Sequence, residues 1–309
     1  MNPDWLESLA SRRLIVVTGK GGVGKSAVTA ALGRMLAAAG RRTLVLEVDP
    51  RENLHQLLDV PPSGGEITAV EPRLWLQNLK PVHVVDWVVR RQVKIEMVAQ
   101  RVLQSPVYHR FVEGAPGLRE MAILGHALRL VRGDTPQAPA VDTVVLDAPA
   151  TGHGIYLLTA SRLYAETIGH GPFARLATEI AEFAADAART SVVMVTLAED
   201  LPVQEALEMR HILVDELGHV PELLVVNGIY PPLPDGEIPG ADGAPELLDL
   251  WRRRRAVNER ELQRLSNEWT GPACKVPLLP VDRSAALVDQ LVQALADAEP
   301  LVDAGGAHG

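Results

Sequence analysis

The chain has 309 residues, 47% of them hydrophobic, which suits one large α/β domain or such a domain carrying a helical insert. Aromatic residues make up only 4%, so the core has to be aliphatic, and a formal charge of -9 argues against a general nucleic-acid or anionic-membrane surface. The single cysteine, Cys274, excludes an internal disulfide framework and a cysteine metal cage within one chain. Residues 1–13 lack the apolar core of a signal peptide, and no apolar run approaches the roughly 20 residues that span a bilayer. The expectation is a cytoplasmic, soluble chain without direct membrane insertion.

Leu14 to Thr18 is a short β-branched run that reads as a buried parallel strand. It enters a glycine-rich turn and then a helix of small apolar residues, Ala27 to Ala39. Gly19, Gly24, Lys25 and Ser26 satisfy the spacing G-x-x-x-x-G-K-[ST] of a phosphate-binding loop. Glycines let successive backbone N–H groups converge on an anion, and the following helix adds its positive end. Gly21, Gly22, Val23 and Ala27 complete that cradle. In it Lys25 reaches the β- and γ-phosphates and the Ser26 hydroxyl ligates Mg²⁺.

Thr43 to Val48 reads as a second strand, ending in the acidic, proline-broken loop Asp49-Pro50-Arg51-Glu52-Asn53. Leu74 to Leu79 is a further strand. From residue 81 to 132 the rhythm becomes helical: Val85, Val88 and Val89, then Ile95, Val98 and Val102, then Met121, Leu124, Leu128 and Val131, with Pro106 and Gly114-Ala115-Pro116-Gly117 as breaks. This stretch reads as a helical insert, whose apolar stripe is either plain core or the wall of a groove.

Asp142 to Asp147 is a buried strand feeding the loop Ala148-Pro149-Ala150-Thr151-Gly152-His153-Gly154. An aspartate ending a strand serves equally well as a helix cap or as a ligand. Further elements are helices over Ile155–Leu163 and Phe173–Ala188, a strand over Ser191–Leu197, a helix over Val203–Leu217 and a strand over Leu223–Val226 ending in Asn227-Gly228. A proline-rich loop (Pro231–Pro245), a charged helix (Leu247–Trp269), a short strand (Lys275–Leu279) and a last helix from Ala285 follow, with residues 300–309 expected as a disordered tail. The order of strands and crossovers predicts a mostly parallel sheet with helices on both faces, as one domain over residues 1–309. Arg252 to Arg255, followed by Glu259 and Glu261, reads as a salt-bridged solvent face, so no nucleic-acid partner is expected.

Gly-Lys-Gly-Gly-Val-Gly-Lys-Ser, with Lys20 directly after Gly19, resembles the deviant phosphate loop of the arsenite-pump, septum-site-determining, chromosome-partitioning and nitrogenase-iron-protein ATPases. Asp49-Pro50-Arg51-Glu52-Asn53 resembles the first switch, and Asp147 to His153 the second switch, of the arsenite-pump and tail-anchored-protein-targeting branch. Departures stand at Arg51, Glu52, Ala148 and Ala150. The resemblance implies a P-loop NTPase fold of the SIMIBI class and ATP hydrolysis with Mg²⁺ in a homodimer. Under it Lys20 crosses to the partner's nucleotide, Asp49 orients the attacking water, and Asp147 holds Mg²⁺ through a water. Asn53 faces the ribose or the partner, and Gly152 approaches the γ-phosphate. Asn227, Pro277 and Leu278 are similar to the family's adenine pocket. A dimeric switch acting on an unidentified protein client is the reading this supports. The alternatives are a targeting factor binding an apolar transmembrane helix and an arsenite or oxyanion pump subunit, the last disfavoured because Cys274 stands alone.

Overall fold

In chain order, α1 (Asp4–Ser11) leads into β1 (Leu14–Thr18) and α2 (Lys25–Ala38). β2 (Thr43–Glu47) is followed by the short α3 (Leu54–Leu57) and by β3 (Thr68–Glu71) and β4 (Leu74–Asn78). Helices α4 (Pro81–Gln92), α5 (Glu96–Leu103), α6 (Pro106–Gly114) and α7 (Leu118–Arg132) then intervene before β5 (Thr143–Asp147). The remainder is α8 (His153–Thr167), α9 (Pro172–Ala185), β6 (Thr190–Leu197), α10 (Asp200–Leu217), β7 (Leu223–Ile229), α11 (Pro245–Glu268), β8 (Ala273–Pro277) and α12 (Ala285–Ala296). The structure is a computed structural model and describes residues 3–49, 52–93, 95–136, 138–149, 153–167, 170–233 and 245–301.

The strands form one sheet in the order β3-β4-β2-β5-β1-β6-β7-β8. Every pairing is parallel except β3–β4, whose antiparallel register slips between Ala69 and Glu71. β1, β2 and β5 are buried along their whole length because helices cover both faces. Alternate residues of one strand serve the two layers. Leu14 and Val16 join the core with Leu118, Leu157, Ile180 and Val203, whereas Ile15 and Val17 join the core with Leu6, Val28, Leu54 and Val288. The expected α/β architecture with helices on both faces is therefore the observed one.

Three features differ from the sequence expectation. α1 is a helix that the polar N-terminus hid; it buries only Leu6 and Leu9. β3 is an exposed edge strand, too short to leave a pattern. β7 continues past Val226 through Asn227 and Gly228 to Ile229, with a register shift against β8 that re-aims Asn227. At the C-terminus, Cys274 bridges Pro300, and the Leu301 N–H donates to the Ala273 carbonyl at 2.9 Å, so these two residues extend the β8 edge. The rest of the predicted tail, 302–309, lies outside the described residues, as does most of the Pro231–Pro245 loop.

The helices of residues 81–132 close on one another. Val85, Met121 and Leu124 are buried in the same core as β1, and the Arg129 guanidinium lies 3.3 Å from the centre of the Trp87 ring. His126 on α7 meets Gln77 on β4 at 2.8 Å, tying these helices to the sheet; burial pushes its pKa down to about 4, so it is neutral. The apolar residues left at the surface lie on α5 and its flanks: Ile95, Met97 and Val98, with Val102 and, on α6, Val107.

Candidate active site

β1 delivers the chain into a turn that only glycine can make at two places. Gly19 has φ +146, and a Cβ there would lie 2.1 Å from the Val195 carbonyl oxygen of β6. Gly24 has φ +98, and a Cβ there would lie 2.3 Å from Nδ2 of Asn227. Gly24 is also the N-cap of α2 and offers no side-chain cap, so the helix starts with its dipole and first-turn amides turned toward the loop. The Asn227 amide donates to the Val23 carbonyl at 2.9 Å, locking the loop to the end of β7.

Lys25, the first residue of α2, is 9% exposed, and its ammonium donates to the Lys20 carbonyl at 2.9 Å. Burial lowers its pKa, opposed by the nearby Asp147 carboxylate. Next along the helix, the Ser26 hydroxyl donates to Asp147 Oδ2 at 2.6 Å, and Thr29 reaches the other carboxylate oxygen at 3.4 Å. Asp147 ends β5, beside β1 in the sheet, and burial pushes its pKa up to about 6 against the Ser26 hydrogen bond. Asp49, just beyond the end of β2, completes a cavity of about 370 Å³ whose wall also holds Gly21, Gly22, Lys25, Ser26 and Asp147.

The loop after β2 is anchored by a residue that carries no motif. Glu47 is buried and accepts from the backbone N–H groups of Asn53 (2.6 Å) and Leu54 (3.1 Å) and from Asn78 Nδ2 (3.2 Å). Burial raises its pKa, with these hydrogen bonds pulling the other way. The same Asn78 amide holds the Asp49 carbonyl at 2.6 Å. A single acid at the end of an apolar strand was the available signal.

The other predicted residues divide by location. Lys20 does not point into the cavity: its ammonium pairs with Glu205 of α10 at 2.8 Å. Val23 is buried in the core, and Ala27 packs against it. Pro277 stands opposite Ile229 at the end of β8, and the Leu278 N–H donates to the Ile229 carbonyl at 2.8 Å, so both lie beside the Asn227 end of β7. Asn53 is placed by its backbone bond to Glu47. Gly152, with Pro50, Arg51, Ala150 and Thr151, lies outside the described residues.

A hydroxyl and a carboxylate in contact at a helix start are hard oxygen donors, the set Mg²⁺ takes. Among the described residues no group of three or more His, Cys, Asp or Glu side chains converges as a metal cage. That fits Mg²⁺, which keeps waters and phosphate oxygens beside one or two protein ligands. Cys274 is 3% exposed with its thiol pushed up to about 12, an inert core sulfur. Among the described residues no helix is long and apolar enough to cross a membrane.

A parallel sheet whose central strand runs into a glycine turn, with lysine and serine opening the next helix, an aspartate ending the neighbouring strand β5 and another just past β2, defines a P-loop nucleotide-triphosphatase fold. The chain belongs to the anion-transporting ATPase family, whose model matches residues 12–171. It is 31% identical to "ATPase BagA" of Mycobacterium tuberculosis over 223 residues, 66% of this chain and 62% of that protein. It is 26% identical to an "Arsenical pump-driving ATPase" of Escherichia coli over 287 residues, 91% of this chain and 43% of that one. A third relative, the "Arsenical pump-driving ATPase" of Acidiphilium multivorum, is 26% identical over 232 residues, 69% of this chain and 39% of its own length. The chain thus spans less than two thirds of the length of each of these relatives.

Proposed function

We propose that this chain hydrolyses ATP and uses the reaction as a dimeric switch on a protein client. The observation that carries the reading is the convergence of Lys25, Ser26, Asp49 and Asp147 on one cavity at the start of α2. Phosphoryl transfer asks a protein mainly to position groups and neutralise charge. Lys25, partly desolvated, supplies a fixed cation for the β- and γ-phosphates. Ser26, and Asp147 through a water, would hold Mg²⁺, which would neutralise charge on the phosphate oxygens. Asp49 orients the attacking water, and the Glu47–Asn78 anchor fixes the loop that carries it. Asn227, Pro277 and Leu278 border the adenine. Lys20 exchanges Glu205 for the nucleotide of a second copy.

The test combines turnover with mass. Lys25→Ala loses ATP binding or turnover, and Asp49→Asn retains ATP but hydrolyses it at least about a hundredfold more slowly. Light scattering with ATP and Mg²⁺ shows a dimer, and Lys20→Ala lowers its turnover. Wild-type hydrolysis by Lys25→Ala removes the phosphate-loop assignment. A monomer in ATP and Mg²⁺, with Lys20→Ala unaltered, removes the dimer.

The exposed Ile95, Met97, Val98, Val102 and Val107 favour one second reading, a targeting factor for an apolar helix, because they form the apolar surface that the closed core of this region leaves open. The pump-driving role in the relatives' names has less support here. Cys274 is buried and its thiol pKa is raised, so no thiolate is available for arsenite, and arsenite should not stimulate turnover.

A further inference from the structure

A second cavity, of about 620 Å³, adjoins the phosphate cavity and shares Val48 and Pro149 with it. Its volume falls within the range of about 300–1,000 Å³ typical of small-molecule sites. One part of its wall is apolar, built by Val48, Leu79, Val82 and Ile123. The other part carries two cations and an imidazole. Lys80 stands at the N-cap of α4, the His83 imidazole lies in the first turn of that helix, and Arg119 lies in the first turn of α7. Glu120 is the one acidic residue in the lining.

Among the described residues neither Lys80 nor Arg119 forms an ion pair, although the chain carries 39 Asp and Glu against 30 Lys and Arg. Neither helix start has a side-chain cap, so both dipoles add to the positive field of the same wall. Coordinated cations beside an apolar wall match a ligand with a carboxylate head and an apolar body, since each part of the ligand then meets its complement.

We propose that this cavity binds a small organic carboxylate with an apolar body, its head against the Lys80–Arg119 wall and its body against Val48, Val82 and Ile123. The shared wall gives such a ligand a path to the nucleotide site, because Val48 precedes Asp49 and Pro149 follows Asp147 closely. Binding itself does not depend on the ATP reading and is measured without nucleotide.

The experiment is calorimetric titration of the full chain with octanoate, octylamine and inorganic phosphate in turn. Octanoate is expected to bind saturably, octylamine not at all, and phosphate, which the Lys25 loop takes, with an affinity indifferent to Lys80 and Arg119. The Lys80→Ala/Arg119→Ala double variant is expected to weaken octanoate by about tenfold or more, and Lys80→Arg/Arg119→Lys to restore it. Both positions are exposed, and circular dichroism confirms that each variant is folded. Equal binding of octanoate and octylamine would reduce the cavity to a greasy cleft and overturn the proposal. So would phosphate binding that the Lys80→Ala/Arg119→Ala variant loses together with octanoate, an octanoate affinity unchanged in that variant, or no saturable binding of octanoate.

Discussion

Asp147→Asn should make the nucleotide-free protein more stable while removing its function. Asp147 is buried, and its pKa is pushed up to about 6 from an ordinary 3.8 by that burial, with Glu47 adding repulsion and Ser26, Lys25 and Thr29 only partly compensating. A carboxylate whose folded pKa is raised binds its proton more tightly in the native state. Its stabilising protonation is complete below about pH 4 and is lost as pH rises through 6. Above that window the buried charge weighs against folding by up to about 3 kcal/mol, from about two pK units at 1.36 kcal/mol each. Asparagine keeps the shape and an acceptor for the Ser26 hydroxyl but removes the charge. With an unfolding entropy of about 2.1 cal/mol/K per residue over 309 residues, the gain corresponds to a Tm rise of about 4–5 °C at pH 8. At pH 5 the rise falls to about half, because wild-type Asp147 is then largely protonated. Thermal melts by circular dichroism at both pH values, without Mg²⁺ or nucleotide, read this directly. A variant that melts at or below wild type at pH 8, or whose gain is the same at both pH values, refutes the reasoning. With ATP and Mg²⁺ added, wild type should gain stability and the variant should gain little, which separates stability from function.

Gly19→Ala should cost about 3 kcal/mol or more, since its Cβ would stand 2.1 Å from a main-chain oxygen of β6 that has no room to retreat; urea midpoints measure it, and an unchanged midpoint would show that the turn can open. Glu205→Gln should lower the protein concentration at which ATP and Mg²⁺ drive dimer formation, because Lys20 loses its partner within the chain. Sedimentation over a dilution series detects this, and the Lys20→Ala/Glu205→Gln double variant should show no such gain. A single variant that assembles as wild type does would mean that the Lys20–Glu205 pair does not restrain assembly.

The elements around the phosphate loop were legible because they are local and obligatory. β1, β2 and β5 read as apolar runs, as strands covered on both faces must, and Pro106 and the 114–117 turn mark the breaks before α6 and α7, whereas the break between α4 and α5 carried no such residue. Lys25, Ser26, Asp49 and Asp147 were singled out from spacing, strand ends and the family resemblance, and the structure brings all four to one cavity. Glu47 and Glu205 were not found. Their roles depend on partners from other elements: Asn78 lies 31 residues away from Glu47, and Lys20 lies 185 residues away from Glu205. An isolated acid in a strand or on a helix has no periodic signal that distinguishes it from a solvated one. The position of Asn227 was read but its contact was not, because the ladder shift that turns it toward Val23 is a property of the β7–β8 pairing.

The two lysines of the loop, five positions apart, face opposite ways, and the reason lies in what each can pair with. Lys25 starts α2 and is nearly enclosed; its ammonium has the Lys20 carbonyl and the field of Asp147, so its charge is held in place without a full ion pair. Such a cation gains most when phosphate oxygens arrive, since its desolvation is already built into the fold. Lys20 projects from the outer side of the turn to α10, where both partners are only about a quarter to a third exposed, at 27% and 30%. That pair is incomplete: Glu205 Oε2 is buried with no hydrogen-bond donor among the described residues. A half-satisfied carboxylate holds its lysine less firmly than a fully bonded one, because part of the desolvation cost is not recovered. The contact is thus strong enough to give Lys20 one position in a single chain, yet a triphosphate carrying several negative oxygens would compete with it on favourable terms.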